Sequence, residues 1–491
     1  MSANEPLHSG TAEPTLGVAQ TSRGSGSAGG NLASLGLIQI FRIVSGVAIN
    51  VMVMRALGVE GYGVYGYVTT LVALFSFGSS MGLDRLIKRE IARDEAVAGR
   101  YVASALVVAG ATSVATAIAI VTTSTLSDGR PDVVLAAALA ACSLGLQALA
   151  VVPNAYFHAI RRMNLAVRPS LYGRITLIVV TAVALFSGMG IQSVFTAQVL
   201  DGACALFVSA LVFRREAKGV QLATNPSEVR ELVATTVPFG LNALFASLYL
   251  SADVLLLAHF HDDDEVGIYR GGVLLISFFP LIAETLSNGI YPRMSRYLGQ
   301  VAQAGSELRF ACRVLLALSI PAAVGGILTA EPLMVFIGGA DFARSTLPFM
   351  VMAPLLPLRF LNNAFSMTLS ALNRQGDRTR GVFFAAVFNV GANLLVLPAY
   401  GAVGAACTTL ATEALLLMWT TWRVRPLVDR LALAGPIIRI AMPAVVMGAA
   451  ILVLPSPHVL LTIFVGVVIY GVGATLTGAI RRSDLGQLRG V

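Results

Sequence analysis

A chain of 491 residues of which 56% are hydrophobic and only 12% charged cannot clothe a soluble surface, since a soluble globular domain is about 25% charged. Its formal net charge of +8 sits in short clusters separated by long apolar runs, which points to membrane topology and away from nucleic-acid binding. One apolar run of about 20 residues crosses a hydrocarbon core of roughly 30 Å at 1.5 Å per residue.

Residues 1–30 are rich in Gly, Ser, Ala and Thr. They lack the charged start, apolar run and cleavage site of a secretory signal and predict a disordered cytoplasmic tail. The apolar stretches then run over 32–54, 64–84, 101–124, 133–157, 169–188, 193–213, 233–258, 266–290, 308–330, 346–371, 381–397, 402–422, 437–454 and 459–479. They predict an all-α polytopic membrane protein of fourteen transmembrane helices. Very short turns fall near Gly188–Gln192, Pro398–Gly401 and Pro455–Pro457, where Gly and Pro mark the reversals. Pro238, Pro280, Pro321 and Pro354 lie inside spans and predict kinks.

Charge sets the direction of insertion. With the N-terminal tail inside, the inside segments hold 26 of the 34 basic residues, and the opposite loops hold only Arg55, Arg130 and Arg344. This positive-inside pattern places both termini in the cytoplasm. A second tail follows at 481–491. The four cysteines, Cys142, Cys204, Cys312 and Cys407, fall in predicted spans without metal-ligand spacing and read as small apolar fillers.

The loops carry no GxxxxGK[ST] phosphate loop, no HExxH and no GxSxG, and the sequence favours a transporter over an enzyme. The acidic turn at 259–265 holds His259, His261, Asp262, Asp263, Asp264 and Glu265. It reads as a solvated turn between two spans, with metal binding as the lesser alternative.

Ionisable groups inside spans cost about 2.5–3.5 kcal/mol each on insertion scales. Arg42 lies deep in the first span, Arg359 deep in the tenth and Arg270 near the start of the eighth. Two readings stay open. The arginines either pair with Asp253, Glu284, Asp201 and Glu413 to pin helices together, or they line an aqueous cavity and bind an anion, for which the planar guanidinium fork suits phosphate. Arg270 and Asp253 flank one turn and form a candidate pair. Asp253 and Glu284 are the candidate ion-coupling groups.

The halves echo each other. Gly63-Val64-Tyr65 enters the second span as Gly267-Ile268-Tyr269 enters the eighth, after Glu60 and Glu265 respectively. The echo overlays spans 1–6 on spans 7–12 in the same orientation and predicts two pseudo-symmetric six-helix lobes. The divisions are 31–231, 232–435 and 436–480.

The segment Met54-Arg55-Ala56-Leu57-Gly58-Val59-Glu60-Gly61-Tyr62-Gly63-Val64-Tyr65 resembles the signature of bacterial polysaccharide-export flippases. So do Met81-Gly82-Leu83 with Arg89-Glu90-Ile91-Ala92-Arg93, Asp253 with Val266-Gly267-Ile268-Tyr269, Glu331-Pro332-Leu333 with Phe336-Ile337-Gly338, and Leu397-Pro398 with Gly401-Ala402-Val403-Gly404. The resemblance is to the O-antigen (Wzx-type) branch of the multidrug/oligosaccharidyl-lipid/polysaccharide exporters. It implies a bacterial cytoplasmic-membrane flippase that moves a polyisoprenyl-diphosphate-linked oligosaccharide to the outer leaflet by alternating access. Arg42 and Arg270 match the cationic cavity, and Arg359 joins them by its depth alone. Coupling to a proton, a sodium ion or the membrane potential is implied, as are glycosyltransferases and a glycan polymerase of the same pathway. No cofactor is implied. A drug/cation antiporter of the same fold is the nearest rival, and a membrane glycan polymerase or ligase a more distant one.

Overall fold

The computed structural model describes residues 28–80, 82–277, 279–296, 301–425, 430–453 and 458–479. The expected tail up to residue 27, the tail at 481–491 and the turn at Pro455–Pro457 lie outside the described residues. Those described form helices and turns, with no strand among them.

The first helix, α1 (Ala28–Ser80), bends at Gly58, whose φ of 67° only glycine adopts without strain. The bend replaces the expected loop between the first two spans with a helical V. An amphipathic helix, α2 (Leu83–Arg93), follows and buries Leu83, Leu86, Ile87 and Ile91 against α4 and α3. Then come α3 (Ala98–Ser127), α4 (Pro131–Ala159), α5 (Met163–Phe186) and α6 (Ile191–Glu216). The expected turn near Gly188 is present as Ser187–Gly190, with Gly188 left-handed.

The second half holds α7 (Pro226–Phe260), α8 (Asp263–Ile276), α9 (Phe279–Arg296), α10 (Val301–Leu328), α11 (Ala330–Gly338), α12 (Thr346–Met352), α13 (Leu355–Ala371) and α14 (Gln375–Val424). The end of the chain adds α15 (Arg430–Val453) and α16 (Val459–Leu476). Pro354 coincides with the break between α12 and α13, whereas α10 continues through Pro321. Helix α14 bends at the left-handed Gly401. The new helical start there is satisfied from outside, because the Ala402 N–H donates to Glu265 Oε2 at 2.7 Å, an anion at a helix N-terminus.

All fourteen expected stretches are helical over most of their described residues. Among the described residues, eight stretches are long and apolar enough to cross a membrane by length and composition. The stretches in α1 and α14 each hold two of the expected spans, and the expected spans 266–290 and 346–371 are each divided between two helices. The expected division points at 231/232 and 435/436 fall inside the first two turns of α7 and α15.

The packing forms two groups. Helices α3 to α6 pack on one another and on α1, while α7, α9, α10, α13 and α14 pack together, with α15 and α16 against α10. Small residues allow close approach, as membrane helices require. Gly202 of α6 sits against Ser143 and Leu146 of α4, and Ser143 Oγ donates to Gln198 O at 2.7 Å.

The groups meet where α1 and α3 pack on α7 and where α1 crosses α8, and at the α1–α8 crossing the sequence echo becomes a contact. A side chain on Gly63 would strike the carbonyl of Asp263, and one on Gly267 would strike the carbonyl of Val59. Each glycine thus packs on the residue four before its counterpart, the reciprocal pairing of a twofold interface. Around this seam Arg130 pairs with Asp263 at 2.7 Å, Arg55 donates to the carbonyls of Phe336 and Ile337, and Tyr62 meets Phe342 edge-on. A smaller link at the other end joins Arg100 to Glu228 at 3.3 Å.

Arg130 is held for this task by Asp128, which bonds it at 2.8 Å through both oxygens. In return the Arg130 guanidinium holds the Asp128 carboxyl below the usual carboxylate range. A depressed carboxylate pKa contributes stability above its unfolded value, about 3.9, and loses it as pH falls through the lower folded value. We expect the seam to be indifferent to pH from about 8 to about 5 and to loosen only below about 4. Spin labels at Leu126 and Asp341, in a background without the native cysteines, read this as a distance. A midpoint near neutrality would show that another group controls the seam.

Candidate functional site

The first candidate region is the junction of α1 with α5 and α8. Tyr62, Tyr65 and Gly66 lie on the returning arm of α1, beyond the Gly58 bend. Gly66 leaves room for Arg270, since an added Cβ would stand 2.8 Å from Arg270 Cγ. The Arg270 Nε is buried and has no hydrogen-bond partner among the described residues. Arg270 lies within electrostatic reach of Tyr62, Tyr65 and Asp253. It is not paired with Asp253, whose carboxylate instead accepts from the Tyr269 hydroxyl and, at 2.9 Å, from the Val254 N–H.

Arg42 stands exposed on α1. Between Arg42 and Tyr65 the structure places a residue that the sequence reading passed over, Arg174 of α5. It is half-buried and within electrostatic reach of Asp201, Arg42 and Tyr65. Arg174 lies well inside an apolar run, the signal that singled out the other arginines, and depth alone could have found it. Arg270 thus lies within electrostatic reach of both Tyr62 and Tyr65, whose rings stack with centroids 6.0 Å apart, Arg174 within reach of Tyr65, and Arg42 within reach of Arg174. Asp201 is the nearby acid. Its carboxylate also accepts from Gln147 at 3.4 Å and lies against Gly173.

Arg359 lies elsewhere. On α13 it donates to Glu413 of α14 at 2.9 Å, and the Glu413 side chain is buried. Asn362 donates to the other Glu413 oxygen at 2.9 Å and Tyr249 reaches the first at 3.3 Å. Of the two readings open for this arginine, the ion pair is the arrangement present. Beside it lies a cavity of about 30 Å³ lined by Tyr249, Asp253, Arg359, Asn389, Thr409 and Thr412, room for a water or a small ion. Asn389 bonds Thr412 at 3.2 Å and Asn393 bonds Asn389 at 3.1 Å, extending a polar seam between the two arms of α14. Glu284 of α9 is exposed and takes no part in this cavity.

The acidic turn is engaged rather than merely solvated. Asp262 caps α8 through the Glu265 N–H, Asp263 and Asp264 pair with Arg130 and Arg344, and His261 Nε2 donates to Leu397 O at 2.7 Å. Among the described residues no His, Cys, Asp and Glu cluster could hold a metal.

Glu413 supplies a stability prediction. Glu413→Ala leaves Arg359 without its counter-charge in a largely buried site, a change that costs about 3–5 kcal/mol in buried pairs. Arg359 keeps some exposure, which favours the lower end. The thermal midpoint of the purified protein should fall by several degrees, and Arg359→Met combined with Glu413→Leu should restore most of it. A fall no smaller in the double variant would mean that the pair acts through something other than charge.

Residues 28–298 match the family model described as polysaccharide biosynthesis protein, more than half of the chain. The chain belongs to that family. The MatE model matches residues 238–395. A probable low-salt glycan biosynthesis flippase, Agl15 of Haloferax volcanii, is 23% identical over 163 residues, covering 33% of this chain and 34% of that protein. The alignment thus spans about a third of that relative's length.

Two solved structures share the fold. The lipid II flippase MurJ in an inward closed conformation superposes with a TM-score of 0.72 at 13% identity, over 90% of this chain and 98% of that one. An inward-facing multidrug resistance MATE transporter superposes with 0.61 at 17% identity, over 78% and 94%. This member of the polysaccharide biosynthesis family is therefore a multi-pass membrane protein that shares the fold of the MurJ flippase and the MATE transporter.

Proposed function

We propose that the protein flips a polyisoprenyl-diphosphate-linked glycan from the cytoplasmic to the outer leaflet of the cytoplasmic membrane. In this reading it crosses the bilayer fourteen times with both termini inside, and the cleft between two six-helix lobes binds the diphosphate. The observation that carries the reading is the arginine cluster: Arg270 lies within electrostatic reach of Tyr62 and Tyr65, Arg174 within reach of Tyr65 and Arg42, and Arg270 keeps a buried Nε with no partner among the described residues. Such a donor in a dry site is costly until an acceptor arrives. A diphosphate offers oxygens that a guanidinium fork can take two at a time, while the isoprenyl tail stays in lipid.

On the positive-inside reading the seam of Gly63 and Gly267 lies at the outer end, so the cleft is closed to the outside. Flipping would open that seam while the Arg100–Glu228 link at the other end keeps the bundles together, a rocking of rigid bundles around a fixed site. Arg359 serves as a strut through Glu413. Asp253, beside the small polar cavity, is the group through which a proton or sodium ion would bias the exchange. Glycosyltransferases and a polymerase would supply and consume the glycan.

The test is reconstitution. In proteoliposomes the protein should move a fluorescent polyisoprenyl-diphosphate sugar and should not exchange an organic cation for protons or sodium. Cation exchange without lipid movement would establish the antiporter reading instead.

A further inference from the structure

A second feature lies on an exposed side of α14, far along the chain from Arg42, Arg174 and Arg270. The two arms of α14 enclose a groove of roughly 430 Å³ lined by Gly381, Phe384, Leu415, Met418, Trp419 and Trp422. Gly381 makes the space, because a Cβ there would stand 2.5 Å from the Trp419 ring. Phe384, Met418 and Trp422 are each more than half exposed, so the groove opens outward. These are aromatic groups of the kind that sit at the headgroup level of a bilayer.

One end of the groove is cationic. Arg378 lies three residues before Gly381 on one arm and Arg425 three residues after Trp422 on the other, so each continues its arm's groove-lining face by one turn. Arg380 and Arg423 lie beside them. The local acid, Asp377, is occupied by Arg374 at 2.8 Å and by Arg423. Arg423 in turn lies over both indoles, 5.8 Å from Trp419 and 5.0 Å from Trp422. Arg378, Arg380 and Arg425 are exposed, and none has an acidic partner among the described residues. Arg378 makes one long contact, 3.5 Å, to Ser370 Oγ.

We propose that this groove is a binding site for an anionic phospholipid, with an acyl chain against Trp419 and Trp422 and the headgroup phosphate on Arg378, Arg380 and Arg425. An apolar slot that ends in exposed arginines matches an apolar chain that ends in a negative charge, and basic residues near a membrane surface attract anionic lipid. The bound lipid would brace the two arms of α14, which also carries the Asp377 and Glu413 ion pairs.

The molecule contains its own probe, because Trp419 and Trp422 are its only two tryptophans. The full-length protein is placed in phosphatidylcholine vesicles containing a small, equal mole fraction of either acyl-brominated phosphatidylglycerol or acyl-brominated phosphatidylcholine. Quenching of tryptophan emission gives the relative affinity of the groove for each. Phosphatidylglycerol should be preferred about fivefold or more, and the preference should shrink at high salt. In Arg378→Gln/Arg380→Gln/Arg425→Gln, all at exposed positions, it should fall towards one while phosphatidylcholine quenching stays as in the wild type. Equal quenching by the two lipids in the wild type, or a preference unchanged in the triple variant, overturns the proposal. It is also overturned if unbrominated polyisoprenyl phosphate relieves the quenching where the same amount of unbrominated phosphatidylglycerol does not.

Discussion

Replacing Arg270 with alanine is expected to weaken binding of a short-chain polyisoprenyl diphosphate to the purified protein by about ten- to a hundredfold. A hydrogen bond to a charged group contributes about 1.5–3 kcal/mol, and each 1.4 kcal/mol is about tenfold in affinity. Arg270 has the strongest claim of the three arginines, because its Nε is buried with no partner among the described residues and Gly66 leaves room for its stem. Arg270→Lys should recover part of the loss, since it restores charge without the planar fork. Arg42→Ala, at an exposed position, should cost less. Titration of the fluorescent lipid into each variant, with thermal midpoints as the folding control, measures the series. If folded Arg42→Ala and Arg270→Ala both bind as the wild type does, the cationic cleft is not the binding site.

The second large effect is expected at the seam. Gly63→Leu or Gly267→Leu drives a side chain into a backbone carbonyl of the opposite bundle, and backbone cannot yield as a flexible side chain can. Overpacking of this kind costs about 1–3 kcal/mol, enough to shift a two-state equilibrium by about five- to a hundredfold. The closed seam should be depopulated, and labels at Leu126 and Asp341 should move apart. Because the contact is reciprocal, the two substitutions should act alike although they lie in different halves of the chain. A Gly63→Leu protein with wild-type distances and transport would remove the seam from the mechanism.

The sequence shows the large organisation readily, and the reasons are physical. Apolar runs long enough to span a bilayer admit few alternatives to helix, so the stretches from 32–54 to 459–479 are helical over most of their described residues. The echo of Gly63 and Gly267 was short in sequence, yet it marks a reciprocal contact between the two halves of the chain. Local continuity was harder to see. Helix α1 passes through Gly58 without a loop because a single left-handed residue turns the chain, and a hydropathy pattern carries no sign of that. Pairing was least legible. Arg270 and Asp253 flank one turn in sequence, yet Tyr269 takes the acid. Arg359 finds Glu413 across 54 residues, and Arg174 joins Arg42 only once α5 packs on α1. Such partners are set by helix packing, which no local motif records.

The account rests on the cleft arginines acting on the lipid diphosphate during transport. The most direct measurement compares the wild type with Arg42→Gln/Arg174→Gln/Arg270→Gln, reconstituted at equal density, for movement of a fluorescent polyisoprenyl-diphosphate sugar between leaflets. The account predicts rapid movement in the wild type and movement indistinguishable from protein-free vesicles in the folded triple variant. Wild-type rates in that variant would contradict it.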